Sequence, residues 1–196
     1  MIYNIISLDY NNYFHYKNVG NILIYLSKNY LSFLQLHDYE GKGKKIFING
    51  SYYIGQCKNH MRNGKGIDYD KNGNIIYEGD YVDDQREGNG KVIYKNGSYY
   101  IGQFKNNLAN GKGIEYYKNG NIIYEGDFVE GNYEGDGKII YVDECYYIGQ
   151  FKKKLPNGKG KQYDKNGNIK YEGDYVDGKR EGNGKAIFKD GSYYIG

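Results

Sequence analysis

Three histidines, two cysteines and a set of paired carboxylates are the residues of this 196-residue chain that could do chemistry, and their spacing decides which kind. His15, His37 and His60 occupy no repeated positions and have no spaced nucleophile beside them. A zinc site needs Cys and His at short matched intervals, which Cys57, Cys145 and the histidines do not supply. Asn89-Gly90-Lys91 has the outline of a phosphate loop, but Gln85 stands where the earlier glycine belongs and Val92 where Ser or Thr is required. Glu78 and Asp80 recur in every second unit of a repeat, on one face, as solvated strand residues do. The reading is therefore a chain that is not an enzyme and has no metal and no cofactor.

Charge points to partners only locally. The formal net charge is +3, and basic and acidic loops alternate: Lys58-Arg62-Lys65 and Lys105-Lys112 against Asp83-Asp84-Glu87 and Glu130-Glu134-Asp136. Neighbouring loops about 10 Å apart, roughly a Debye length, neutralise one another, which argues against nucleic acid. Lys152, Lys153 and Lys154 stand out as candidate contacts for an anionic phospholipid headgroup. The longest apolar run, Ile22 to Leu26, is too short for a transmembrane segment. Met1 to Tyr16 lacks the pattern of a secretory leader, and two distant cysteines suit a reduced, intracellular setting. Asn49-Gly50-Ser51 and Asn96-Gly97-Ser98 match the glycosylation sequon but read as tight turns.

The elements that carry these residues follow from one ladder. Tyr53, Tyr100, Tyr147 and Tyr194 stand 47 residues apart, each followed two places on by Gly55, Gly102, Gly149 and Gly196. A second ladder, Tyr77-Gly79, Tyr124-Gly126 and Tyr171-Gly173, lies midway. The repeat signature is thus an array of alternating 24- and 23-residue units. Thirty Gly, 27 Tyr and one Pro describe aromatic strands joined by tight turns. Six units span 53-76, 77-99, 100-123, 124-146, 147-170 and 171-193; a degenerate unit, with Ser32 in place of glycine, spans 30-52. Residues 1-29 lie outside the repeat, with a short helical cap expected from about Asn21 to Leu34. Residues 194-196 open a further unit and stop, which suggests a fragment.

Register is set by keeping the glycines on one face. A three-residue loop Lys95-Asn96-Gly97 pairs Val92 with Tyr100 and Gly90 with Gly102. For the longer unit a four-residue loop Asp70-Lys71-Asn72-Gly73 pairs Gly66 with Tyr77 and Gly64 with Gly79. On the opposite face this sets Lys65 against Glu78, Lys112 against Glu125, Lys159 against Glu172, Ile67 against Ile76 and Ile114 against Ile123. It sets Ile93, Ile140 and Ile187 against Tyr99, Tyr146 and Tyr193, which mark a candidate partner face. Lys161 against Lys170 is a poor pair that this register leaves unexplained. Long polar loops are expected along one sheet edge and Lys-Asn-Gly turns along the other. Tyr and Phe would roof the column of bare glycines, either filling a shallow trough or leaving it open to a partner.

Tyr-x-Gly-x-Phe, a loop, then Gly-x-Gly with an aromatic four residues on, as in Gly88-Asn89-Gly90 to Tyr94, resembles the MORN (membrane occupation and recognition nexus) repeat. The resemblance covers residues 39 to 196, and the Asp-Lys-Asn-Gly-Asn-Ile units also look like the shorter bacterial variant. Cys57 in place of the aromatic and Glu144-Cys145 in place of Gly-Ser depart from the pattern. The resemblance implies an all-β, elongated, single-layer twisted antiparallel β-meander of stacked hairpins. It also implies a non-enzymatic scaffold for protein-protein interaction or self-association, cytoplasmic or peripheral to a membrane or the cytoskeleton. The alternatives are a membrane or phosphoinositide-targeting module and the regulatory arm of a larger enzyme such as a lipid kinase.

Overall fold

A computed structural model describes residues 23–25 and 41–196, which fall into two compact units, Met1–Ile93 and Tyr94–Gly196. The first holds β1 (Leu23–Tyr25), β2 (Gly41–Ile46), β3 (Tyr52–Lys58), β4 (Met61–Tyr69), β5 (Ile75–Val82) and β6 (Gln85–Ile93). The second holds β7 (Tyr99–Lys105), β8 (Leu108–Tyr116), β9 (Ile122–Val129), β10 (Asn132–Ile140), β11 (Tyr146–Lys152), β12 (Leu155–Tyr163), β13 (Ile169–Val176), β14 (Lys179–Ile187) and β15 (Tyr193–Ile195). Within each unit the strands lie in chain order, and every pair is antiparallel except β1 with β2. Each unit is an open, all-β meander, and the described residues contain no helix. Of the helical cap expected over about 21 to 34, only Leu23–Tyr25 is described, as a parallel strand; the rest lies outside the described residues.

Two turn types alternate, and each corrects an expected length. At one edge the strands run on to two-residue turns with both central residues at positive φ, such as Asn59 (48°) and His60 (61°). Asp83-Asp84, Asn106-Asn107, Glu130-Gly131, Lys153-Lys154 and Asp177-Gly178 do the same, a geometry that matches the twist of the flanking strands. The long polar loops expected there are therefore strand. At the other edge every turn is a three-residue loop. Phe47 N–H donates to Ser51 O at 2.9 Å, and the equivalent Asp70 N–H donates to Asn74 O at 2.9 Å. The loop at Asp70 is thus no longer than its neighbours.

The extra residue of the 24-residue units is a β-bulge. Tyr69 pairs with Ile75 but Asp68 with Tyr77, so Ile76 is the inserted residue. Ile123 and Lys170 are inserted in the same way. Register therefore differs by two residues from the expected one: Gly66 faces Gly79 and Gly64 faces Tyr81. A shift of two preserves which face each side chain points to, so face polarity could not expose the error. Lys65 faces Asp80, Lys112 faces Asp127 and Lys159 faces Asp174, not the glutamates. Ile67 and Ile114 face Glu78 and Glu125, and Lys161 faces Glu172, with which it makes a 2.9 Å ion pair. The poor lysine pair does not exist. In the other hairpin type the expected register holds: Gly43 faces Gly55, Gly137 faces Gly149, Ile140 faces Tyr146 and Ile187 faces Tyr193.

The core is the glycine face. Tyr53, Tyr77, Tyr100 and Tyr124 are 0% exposed, Tyr147 is 1% and Tyr171 7%. Each hydroxyl donates to the carbonyl three residues on, from 2.7 Å for Tyr53 to Gln56 O to 3.3 Å for Tyr171 to Asp174 O. That bond lays the ring across two glycines on paired strands. A Cβ built on Gly102 or Gly113 would fall inside 3.0 Å of the Tyr100 side chain. The aromatic four residues on packs edge-to-face, as Tyr100 with Phe104 at 5.2 Å and Tyr124 with Phe128 at 5.2 Å. Rings of successive hairpins lock the same way, Tyr100 with Phe128 at 4.7 Å and Tyr147 with Tyr175 at 4.8 Å. Such contacts add about 0.5–1.5 kcal/mol each beyond burial.

Candidate interaction face

With the rings filling the trough, the other face is the one left to solvent. Because side chains alternate, Tyr99, Ile101 and Gln103 of β7 point away from Tyr100, Gly102 and Phe104. Tyr99 stacks on Tyr116 with centroids 4.6 Å apart, and Tyr146 on Tyr163 at 4.6 Å. Tyr52 and Tyr69 repeat the arrangement in the first unit at 4.6 Å. Lys138 lies 4.4 Å over the Tyr146 ring, Lys44 4.1 Å over Tyr52 and Lys185 4.3 Å over Tyr193. Of the expected partner-face residues, Tyr99 and Tyr146 are half-buried by these stacks and Tyr193 is exposed. Beside them run Ile54 with Ile67 and Ile101 with Ile114, and Ile101 and Ile148 are each 43% exposed.

Charges on this face are matched in the plane of the sheet. Lys65 pairs with Asp80 at 2.9 Å, Lys112 with Asp127 at 2.7 Å and Lys159 with Asp174 at 2.5 Å. The lysine partners hold the Asp80 and Asp174 carboxyls below the usual range. These pairs are exposed, so each is worth about 0–1 kcal/mol. Their main effect is to leave the face electrically neutral.

A second alternation, missed in the sequence, organises the strand crossings. Gln103 Oε1 accepts Lys112 N–H at 2.9 Å, and Gln56 and Gln150 do the same for Lys65 and Lys159. In the intervening hairpins a shorter Asp takes that role, Asp80 Oδ2 accepting Asn89 N–H at 3.1 Å and Asp174 Oδ2 accepting Asn183 N–H at 3.2 Å. The acceptor satisfies a strand N–H at the bulge beside a positive-φ glycine, Gly111 in one case and Gly88 in the other. The signal was present: the residue after each Tyr-x-Gly alternates Gln and Asp without exception from Gln56 to Asp174.

The expected lipid contacts have local roles. Lys153 and Lys154 are the centre of a two-residue turn, exposed with Lys152. Lys153 N–H donates to Glu134 Oε1 at 2.9 Å, and the Lys154 ammonium lies 5.1 Å from the Tyr133 ring. An acidic side chain therefore sits beside the triplet.

The first unit carries a buried ionic cluster on its inner face. Arg62 binds both carboxylate oxygens of Asp68 at 3.0 Å and reaches Asp84 at 3.3 Å; Arg86 approaches Asp68 at 3.5 Å and Lys45 approaches Asp84 at 3.5 Å. Lys45 is 2% exposed. In the second unit Glu115, which stands where Asp68 does, accepts the Tyr133 hydroxyl at 2.7 Å, and Gln162 accepts from Arg180 at 2.7 Å. Burial pushes the neighbouring Cys57 thiol up to about 11, which makes it a poor nucleophile. Among the described residues no group of three or more His, Cys, Asp or Glu is placed to hold a metal ion. No helix of the described residues is long and apolar enough to cross a membrane.

Comparison with known protein families places MORN repeats at residues 77–99, 100–122, 124–146, 147–169 and 171–193, with a MORN repeat variant at 62–83. No curated protein matches the chain. Five full repeats cover more than half of the sequence and coincide with the hairpins whose tyrosines roof the glycine column. On that match the chain belongs to the MORN repeat family.

Proposed function

We propose that this MORN-repeat chain is a non-enzymatic interaction scaffold that recognises protein through the face bearing Tyr99, Tyr116, Tyr146, Tyr163 and Tyr193. The observation that carries the reading is the contrast between the two faces. The glycine face is consumed by its own rings, whereas the opposite face presents isoleucines and paired tyrosines among charges already matched. Aromatic residues in an otherwise neutral patch are what protein interfaces concentrate at their centres. Base stacking is poorly served, because the paired tyrosines already spend ring faces on each other. Lys152, Lys153 and Lys154 remain the test of the lipid alternative, weakened by Glu134 beside them.

Two arms of one experiment separate these readings. Capture of cellular proteins is compared for the wild-type chain, the Tyr99→Ser, Tyr146→Ser, Tyr193→Ser triple variant and the Lys152→Ala, Lys153→Ala, Lys154→Ala triple variant. Flotation with phosphatidylserine and phosphoinositide vesicles is run on the same three proteins. Loss of captured partners on the tyrosine substitutions alone supports the scaffold reading. Flotation at low salt that is abolished by the lysine substitutions, with capture indifferent to the tyrosines, overturns it.

A further inference from the structure

The ladder rings lean over the glycines toward the two-residue turns, as the Tyr100 hydroxyl does in donating to Gln103 O. The strip of inner face on their other side, running to the three-residue turns, therefore lies outside the sealed column. In Tyr94–Gly196 this strip holds Glu115 of β8, in register between Tyr100 and Tyr124. Asp68 and Gln162 stand at the same place 47 residues before and after it, and each receives a guanidinium. Arg62 donates to both Asp68 oxygens at 3.0 Å, and Arg180 donates to Gln162 Oε1 at 2.7 Å. Ala109 and Tyr133 replace Arg62 and Arg86, so Glu115 keeps a carboxylate and loses the arginines. It accepts the neutral Tyr133 hydroxyl at 2.7 Å, and among the described residues no lysine or arginine pairs with it. Asp68 with its arginines is 5% exposed, whereas Glu115 is only half-buried.

Tyrosines gather around this carboxylate. Tyr117 is two residues on, on the same face and about 7 Å along the strand. Its equivalents are Asp70 and Asp164, which spend their carboxylates inside their own turns, accepting Asn72 N–H at 2.8 Å and Asn166 N–H at 2.9 Å. Tyr94 and Tyr141 open the neighbouring three-residue loops, about 10 Å to either side of Tyr117, and are 41% and 38% exposed. Burial, then Glu115, then the Tyr124 and Tyr94 phenols push the Tyr133 phenol up, as groups gathered at one place do. We propose that Glu115, among Tyr94, Tyr117 and Tyr141, seats an arginine side chain of a partner protein. The chain's own arginines show the chemistry this face holds: Arg62 lies 4.7 Å over the Tyr81 ring, Arg86 4.4 Å over Tyr77 and Arg180 4.5 Å over Tyr171. A guanidinium brings two parallel N–H donors to a carboxylate and lies flat on an aromatic ring, a fork that a lysine ammonium lacks. The seat is on the opposite side of the sheet from Tyr99 and Tyr146, so it adds to the outer-face reading without depending on it.

The test follows amide NMR shifts of the isotope-labelled full chain titrated with blocked tripeptides of glycine-flanked arginine, lysine or citrulline. Circular dichroism confirms the fold of each variant. In the wild type the arginine peptide should shift the amides of Glu115, Tyr117 and Tyr133 saturably in the millimolar range. The lysine peptide should bind several-fold more weakly, and the citrulline peptide, which keeps the shape without the charge, should not bind. Glu115→Gln introduces the residue that the repeat already carries at Gln162, and should weaken the arginine peptide by about tenfold or more. The Tyr99→Ser, Tyr146→Ser, Tyr193→Ser variant should bind it as the wild type does. Absence of saturable shifts at those amides, lysine or citrulline binding as tight as arginine, or binding unchanged in Glu115→Gln overturns the proposal, and each leaves the outer-face reading to its own capture experiment.

Discussion

Adding one methyl group at Gly113 should be among the most damaging small changes in the chain, and its damage should depend on a single other residue. Gly113 has a backbone that an alanine can adopt, so the cost is steric. The new Cβ falls inside 3.0 Å of the Tyr100 ring and hydroxyl. Tyr100 is fully buried, donates to Gln103 O at 2.9 Å, and packs on Phe104 at 5.2 Å and Phe128 at 4.7 Å. If the ring yields in place, overpacking costs about 1–3 kcal/mol. If it is expelled, the loss approaches the ~3–5 kcal/mol of an aromatic-to-alanine change in a core. Urea unfolding of Gly113→Ala, Tyr100→Ala and the double variant measures this as a cycle, with amide exchange of β7 to β9 guarding against partial unfolding of the array. With the ring gone, Gly113→Ala should be neutral or mildly stabilising, because glycine weakens a strand. The coupling energy is then at least about 2 kcal/mol. An equal cost of Gly113→Ala with and without Tyr100 would refute the roofing of glycine by tyrosine.

Other outcomes follow from local geometry. Glu144 takes the third position of a hairpin loop at φ 64°, where the equivalent loops place glycine, so Glu144→Gly should raise stability by about 1 kcal/mol, read as a higher urea midpoint. Gln103→Ala removes the acceptor for Lys112 N–H and should cost about 1 kcal/mol and speed exchange at that amide. Asp68→Asn leaves Arg62 and Arg86 facing a neutral amide and should cost about 2–4 kcal/mol, measured as earlier unfolding of the first unit, whereas Glu115→Gln, which faces only a tyrosine hydroxyl, should cost about 1 kcal/mol. Burial pushes the Tyr77 phenol up to about 12 and the Cys57 thiol up to about 11. A raised folded-state value means that stability is full below the unfolded pKa and falls as pH climbs, so a loss of stability beginning above about pH 9 and deepening toward 12 is expected in alkaline melts.

Much of this fold was legible because glycine and tyrosine columns are unambiguous: only a bare backbone lets a ring lie flat across it, and 47-residue spacing fixes which strands are neighbours. The hairpins turning at Ile48-Asn49-Gly50 and Lys189-Asp190-Gly191 were read in register since each loop declares its own positive-φ residue, and the one at Val142-Asp143-Glu144 since it stands at the same place in the repeat. What escaped had two causes. Registers two residues apart place the same side chains on the same face, so pattern could not choose between a longer loop and a bulge at Ile76; the like-charged Lys161 and Lys170 pair was the one sign of error. Among the two-residue turns, Lys153-Lys154 and Asn59-His60 carry no glycine to announce them, and Glu130-Gly131 and Asp177-Gly178, which do, escaped because the polar residues around them read as loop. For the candidate face, Tyr99 and Tyr146 were found, but Tyr116 and Tyr163 were not, since their stacking depends on pairing across hairpins that sequence periodicity left unassigned.

The sealed state of the glycine face can be tested directly by tyrosine modification of the native chain, mapped by peptide mass spectrometry. Nitration or iodination should mark Tyr94, Tyr141, Tyr193 and Tyr194, which are 38–65% exposed, and spare Tyr53, Tyr77, Tyr100, Tyr124, Tyr147 and Tyr171 until the fold is lost. Labelling of these six buried tyrosines at rates matching the exposed ones, with circular dichroism still native, would contradict a closed aromatic core.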